Sequence, residues 1–150
     1  MKVAIGTDHA GLAIKNELVA YLTQQGFEVT DCGTFDTVSC DYPDYAAKVC
    51  QAVVAGEVQK GILVCMTGIG MSVAANKVKG IRAGLVFNTE SARLTREHND
   101  TNVLVIPGKF MPVDEAKEAC CIWLTTDFSG EERHARRIAK IAEIEAKYFK

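Results

Sequence analysis

Five short apolar runs alternate with longer stretches whose apolar residues recur every three or four positions, and this alternation constrains the chain more than any other feature. The runs at residues 3–6, 27–31, 61–65, 82–87 and 102–106 have the length and near-continuous apolarity of strands buried on both faces. Between the first two, Ala10, Ala13, Ile14, Leu18, Tyr21 and Leu22 carry the spacing of an amphipathic helix, which Gly26 stops. The same spacing predicts helices over about residues 42–55, 69–78, 90–97, 113–124 and 131–148. Strand and helix in strict succession predict an α/β fold, a parallel sheet with helices on both faces. No repeat, low-complexity segment or linker divides the 150 residues, and that length buries a full core as one domain, 1–150.

A net charge of −2 implies no general attraction to nucleic acid or to an anionic membrane, so any basic site must be local. No apolar run approaches the roughly 18 residues of a membrane span. The opening M-K-V-A-I-G-T-D-H turns polar too soon for a signal peptide, so a cytoplasmic protein is expected. The cysteines Cys32, Cys40, Cys50, Cys65, Cys120 and Cys121 form no C-x-x-C pair, and several lie inside apolar runs. In a reducing compartment at least four of the six read as small buried hydrophobes with free thiols.

Ligands of parallel sheets bind outside the carboxyl ends of the strands. By that rule Thr7-Asp8-His9, the loop holding Asp41 and Tyr42, and Cys65 share one rim. From Cys65 the chain reads C-M-T-G-I-G-M-S: a thiol, the Thr67 hydroxyl, then Gly68 and Gly70 leading into a helix whose first-turn amides lack partners. Such a turn attracts an anion. It is not a Walker A loop, having no Gly-Lys-Ser/Thr, and it lacks the full dinucleotide fingerprint. A thiol facing the turn has its thiolate stabilised, which suits Cys65 to act as a general base or nucleophile. Taken alone it also reads as a buried strand-end cysteine. Asp8 and His9 bring acid–base and anion-binding capacity to a neighbouring strand, although Asp8 by itself reads as a helix cap.

Arg133 and Arg137, four apart on the last helix, share a face that suits either one phosphate or solvent, with Arg136 and Lys140 nearby. His98 and Asn99 follow the fourth helix, so they fall at the amino end of the sheet, opposite the Cys65 rim. Either they close a helix, or they complete the pocket of a second subunit.

Six segments, in order along nearly the whole chain, carry a resemblance. They are V-A-I-G-T-D-H-A-G, D-Y-P-D-Y-A at 41–46, C-x-T-G-x-G-x-S-x-A-A-N-K at 65–77, G-I-R-A at 80–83, R-E-H-N-D-x-N at 96–102 and R-H-x-x-R at 133–137. Together they resemble ribose-5-phosphate isomerase B and its galactose-6-phosphate isomerase relatives. The resemblance implies a three-layer α/β/α, Rossmann-like domain whose five-stranded parallel sheet has the order 2-1-3-5-4. It also implies a homodimer, in some cases a tetramer, with active sites shared between subunits and the last helix against the partner. The implied reaction interconverts an aldose phosphate and its ketose phosphate through a cis-enediolate, with no cofactor and no metal.

Carried over by position, Cys65 is the base that moves the proton between C2 and C1. Thr67 and the amides of the Gly68, Gly70 and Ser72 turn face the developing enediolate oxygen. Asp8 and the His98 of a second subunit serve ring opening and hydroxyl proton transfer, and Asn99 and Tyr42 position the sugar. His9, Arg133 and Arg137 hold the phosphate, a grip far from the reacting carbons that fixes them in place. Two residues depart from the family pattern. Met66 stands where relatives usually carry glycine, which raises the cost of a side chain if that position needs positive φ. Lys109 stands where many have arginine, keeping the charge but losing the two-pronged grip. The leading expectation is exchange between ribose 5-phosphate and ribulose 5-phosphate. A hexose 6-phosphate isomerase acting on allose or galactose phosphates, or a sugar-phosphate-binding subunit weakened by Met66, are the alternatives.

Overall fold

The computed structural model describes residues 1–150. Five strands, β1 (Lys2–Thr7), β2 (Glu28–Asp31), β3 (Lys60–Cys65), β4 (Ala83–Leu85) and β5 (Val103–Pro107), pair in parallel in the order β2-β1-β3-β5-β4. The helices are α1 (Leu12–Gln24), preceded by a 3₁₀ turn at His9–Gly11, α2 (Tyr42–Val54), α3 (Ile69–Ala75), α4 (Thr89–Asn99), α5 (Val113–Thr125) and α6 (Glu132–Tyr148). Successive side chains of a strand point to opposite faces, and in β1, β3 and β5 both sets are apolar. Val3, Ile5, Ile62, Val64, Leu104 and Ile106 therefore join one core with Leu18, Leu22 and Trp123. Ala4, Leu63, Cys65, Val103 and Val105 join a second with Val49, Met71 and Ala75. The result is the three-layer α/β/α arrangement and strand order that the resemblance implies. The thiol of Cys65 belongs to the layer of α2 and α3.

The fourth strand covers three residues instead of the six expected at 82–87. Side-chain amides take its backbone partners: Asn76 bonds both the N–H and the C=O of Ala83, at 2.9 and 3.0 Å, and Asn102 accepts from Arg82 N–H at 2.8 Å. At the far end Ser91 Oγ accepts from Phe87 N–H at 3.0 Å and caps α4 instead. The third helix likewise stops at Ala75 rather than 78.

Lys15 is fully buried, with its ammonium 2.6 and 2.9 Å from the two oxygens of Asp31 and 2.9 Å from the Thr34 carbonyl. The same loop is stitched to β1 by Thr7 N–H to Gly33 O at 2.7 Å and Thr34 N–H to Thr7 O at 2.8 Å. The chain between β2 and α2 is thereby held against the end of β1. None of the helices is long and apolar enough to cross a membrane. All six cysteines are free; Cys50, Cys65 and Cys120 are buried, whereas Cys32, Cys40 and Cys121 are partly exposed, so apart from Cys65 two rather than four fit the buried-hydrophobe expectation in full.

Candidate active site

Where β1 ends, the Thr7 hydroxyl lies 2.9 Å from both the Asp8 and Val64 carbonyls, tying the ends of β1 and β3 together. Asp8 follows in extended conformation. Its Oδ1 accepts from Ala10 N–H at 3.1 Å, and its Oδ2 accepts from the Cys65 thiol at 3.5 Å. The capping role and the pairing with the thiol are both realised, one oxygen to each.

This pairing reverses one sequence-based expectation. Burial pushes the Cys65 thiol above its ordinary pKa and the Asp8 carboxylate adds to the push, outweighing the Gly68 and Met66 amides that face the sulfur and favour the anion. The balance favours the thiol form of Cys65 over the thiolate, with the sulfur directed at Asp8 Oδ2.

Gly68 sits in the left-handed region at φ 75° and turns the chain from Cys65 into α3. Thr67 Oγ1 accepts from Ile69 N–H at 3.2 Å, so its own hydrogen is free to donate. Ser72 N–H is spent on Gly68 O at 3.0 Å, which removes its amide from the anion-binding set and leaves that task to Gly70 and Met71. Tyr42, the first residue of α2, lays its ring on Gly70: a Cβ there would lie 2.7 Å from Tyr42 Cζ. Glycine at position 70 is what lets the phenol reach the rim.

Met66 needs no positive φ, because Asp100 is the one non-glycine residue with that conformation. The conformational cost expected for it is absent, and its 49% exposed side chain projects at the rim beside the thiol. Its carbonyl accepts from Lys109 N–H at 2.9 Å, so Lys109 shares that rim, its ammonium 5.9 Å above the Phe110 ring. His9 accepts at Nδ1 from Cys40 N–H at 3.2 Å, which assigns the proton of the neutral ring to Nε2. Cys40 was not foreseen as a partner; the loop pinned by Lys15 brings it there.

The remaining candidates lie elsewhere. Helix α4 runs back to the amino end of β5, and a left-handed Asp100 closes it. Buried Arg96 fixes that closure through Asp100 at 2.8 Å and the carbonyls of Thr101 and Thr126 at 2.6 and 3.1 Å. His98 is thereby held at the far end of the sheet, with Asn99 lining a cleft of about 270 Å³ beside Arg82, Thr95 and Thr101. Arg133 and Arg137 join this second cluster, since α5 returns the chain to the same end and Ser129 N–H bonds Glu97 O at 3.2 Å. Arg133 pairs with Glu131 at 2.9 Å, while Arg137 is exposed and makes no ion pair. Four strand steps from Val103 to Pro107 separate the two clusters by about 13 Å at least. One chain therefore brings together Asp8, His9, Tyr42, Cys65, Met66, Thr67, Gly68, Gly70, Ser72 and Lys109, but not His98, Asn99, Arg133 or Arg137. Within a single chain His9 lies apart from Arg133 and Arg137, so a grip by all three on one phosphate would draw on two chains. His134, seen only as a letter in R-H-x-x-R, stacks on His98 with ring centroids 4.2 Å apart and planes 14° from parallel. No group of three or more His, Cys, Asp or Glu side chains is arranged to hold a metal ion.

The family model described as Ribose/Galactose Isomerase matches residues 3–141. The chain belongs to that family. Across 98% of this chain and 99% of the relative, it is 51% identical to a putative sugar phosphate isomerase, YwlF, of Bacillus subtilis. Over 96% of each chain it is 46% identical to ribose-5-phosphate isomerase B of Escherichia coli. The solved structure of Clostridium thermocellum ribose-5-phosphate isomerase B superimposes with a TM-score of 0.96 at 47% identity, covering 99% of both chains.

Proposed function

We propose that this isomerase-family protein interconverts ribose 5-phosphate and ribulose 5-phosphate. The observation that carries the reading is the 3.5 Å contact between the Cys65 thiol and Asp8 at the strand ends, beside the Gly68 turn. As the sugar enters, Asp8 takes the thiol proton, which leaves a thiolate to remove the C2 proton and a carboxylic acid to serve the sugar hydroxyls. The enediolate oxygen meets the Thr67 hydroxyl and the amides of Gly70 and Met71, donors already in place when the charge develops. The thiol then returns the proton to C1. Lys109 supplies positive charge at this rim, His9 offers its Nε2–H as a donor, and Tyr42 bounds the sugar through its seat on Gly70.

Ring opening requires an acid, and His98 is the candidate. In this reading it comes from a second subunit, along with Asn99 and the phosphate grip of Arg133 and Arg137. The separation of the two clusters within one chain supports a shared site. The exposed Ile141, Ile144 and Tyr148 on α6 support packing of that helix against a partner.

A coupled assay with ribose 5-phosphate, allose 6-phosphate and galactose 6-phosphate tests the substrate. Turnover of the pentose is expected to exceed that of either hexose. Cys65→Ala is expected to abolish isomerisation with an unchanged circular dichroism spectrum; turnover near wild type would rule out the thiol as the base.

A further inference from the structure

His134 takes no part in the mechanism above, yet it is 4% exposed in the first turn of α6. Its ring covers that of His98 in near-parallel stacking, 4.2 Å between centroids. Its Nε2 is buried without a hydrogen-bond partner, and the closest acidic oxygen, Glu131 Oε2, stands 3.6 Å away, beyond hydrogen-bond range. A ring in that state contributes its face, not its nitrogen. Helix α4 alone leaves His98 free about its side-chain torsions at the last turn, so the stack is what fixes its plane.

We propose that His134 is a positioning residue: its ring is the platform that orients His98 for proton transfer to the sugar ring oxygen. The proposal rests on the reading of His98 as the ring-opening acid. The platform stays neutral, because burial, then the neighbouring His98, then Arg133 push the His134 pKa below its ordinary value, with Glu131 opposing and Arg137 adding a smaller push. A neutral platform places no competing positive charge against His98.

Three full-length variants test this. His134→Ala removes the platform and is expected to lower kcat on ribose 5-phosphate about 10- to 100-fold, the penalty of a misplaced group, with KM little changed. His134→Phe restores a flat ring without nitrogens and is expected to recover turnover to within about threefold. In a His98→Ala background, His134→Ala is expected to cost nothing further, because the residue acts only through His98. A second readout separates this from general damage. Ribulose 5-phosphate has its O5 esterified and is acyclic, so solvent deuterium exchange at its C1 needs the thiol but no ring opening. That exchange is expected to survive His134→Ala. Equal loss of exchange and turnover, a Phe variant no better than Ala, or an undiminished cost in the His98→Ala background overturns the proposal. A wild-type protein inactive on ribose 5-phosphate instead overturns the parent reading.

Discussion

Replacing Gly68 with alanine probes how the turn after Cys65 is built, and the structure sets the size of the effect. An L-residue held at φ 75°, ψ −14° costs about 1–2 kcal/mol in backbone conformation, while the stiffer unfolded chain offsets about 0.4–1 kcal/mol. The new Cβ would lie 2.5 Å from Leu85 Cδ1 and 3.3 Å from Val105 Cγ1. Leu85 is 37% exposed, so the end of its side chain can swing outward, and the steric share settles near the lower end of overpacking costs, about 1 kcal/mol. The backbone term and the steric term are thus comparable. Their net is a loss of about 1–3 kcal/mol, or about 2–10 °C in Tm for a chain of this length. Urea and thermal melts measure it. In a Leu85→Ala background the steric share should disappear and the backbone share persist. Because the Gly68 amide faces the sulfur, turnover at a temperature where the variant is fully folded is expected to fall about tenfold or more. An unchanged Tm with unchanged turnover, or a stability loss that vanishes completely without Leu85, refutes the account of the turn.

Other expectations follow from the same geometry. Mixing Cys65→Ala with His98→Ala chains should restore about a quarter of wild-type activity, since half of randomly formed dimers are mixed and each holds one intact site; no recovery after verified subunit exchange counts against shared sites. The raised thiol pKa means turnover climbs as pH rises into the alkaline range, where the anion forms without help from Asp8. Asp8→Asn removes a negative neighbour, so the pH profile of Cys65 alkylation, with Cys65→Ala as the blank, should move to lower pH; a midpoint that stays or rises refutes the attribution. Met66→Gly removes a side chain at the rim from a backbone with no positive φ. It should change stability by no more than about 1 kcal/mol and raise activity on hexose phosphates relative to ribose 5-phosphate. An unaltered substrate ratio means that Met66 does not shape the pocket.

The alternation of short apolar runs with amphipathic stretches determined the layered parallel sheet, because strands apolar on both faces can be covered only by helices on both sides. Strand ends then placed Asp8, His9 and Cys65 on one rim and His98 on the other, since the direction of a parallel strand follows from the order of elements alone. Tertiary structure decided the rest. The protonation of Cys65 depends on a carboxylate oxygen 3.5 Å away and on burial, neither of which spacing along the chain reveals; the turn read from sequence as thiolate-stabilising loses to both. Spacing put Arg133 and Arg137 on one face of the last helix, but only the path of α5 shows that they lie beside His98, at the opposite end of the sheet from His9. The cost at Met66 vanished once the backbone angle was known. His134 gave no signal beyond its place between two arginines, because the stacking that defines it joins α4 to α6. Local pattern specifies which elements form and which way they run, whereas the charge state and mutual approach of side chains depend on distances set only when those elements pack.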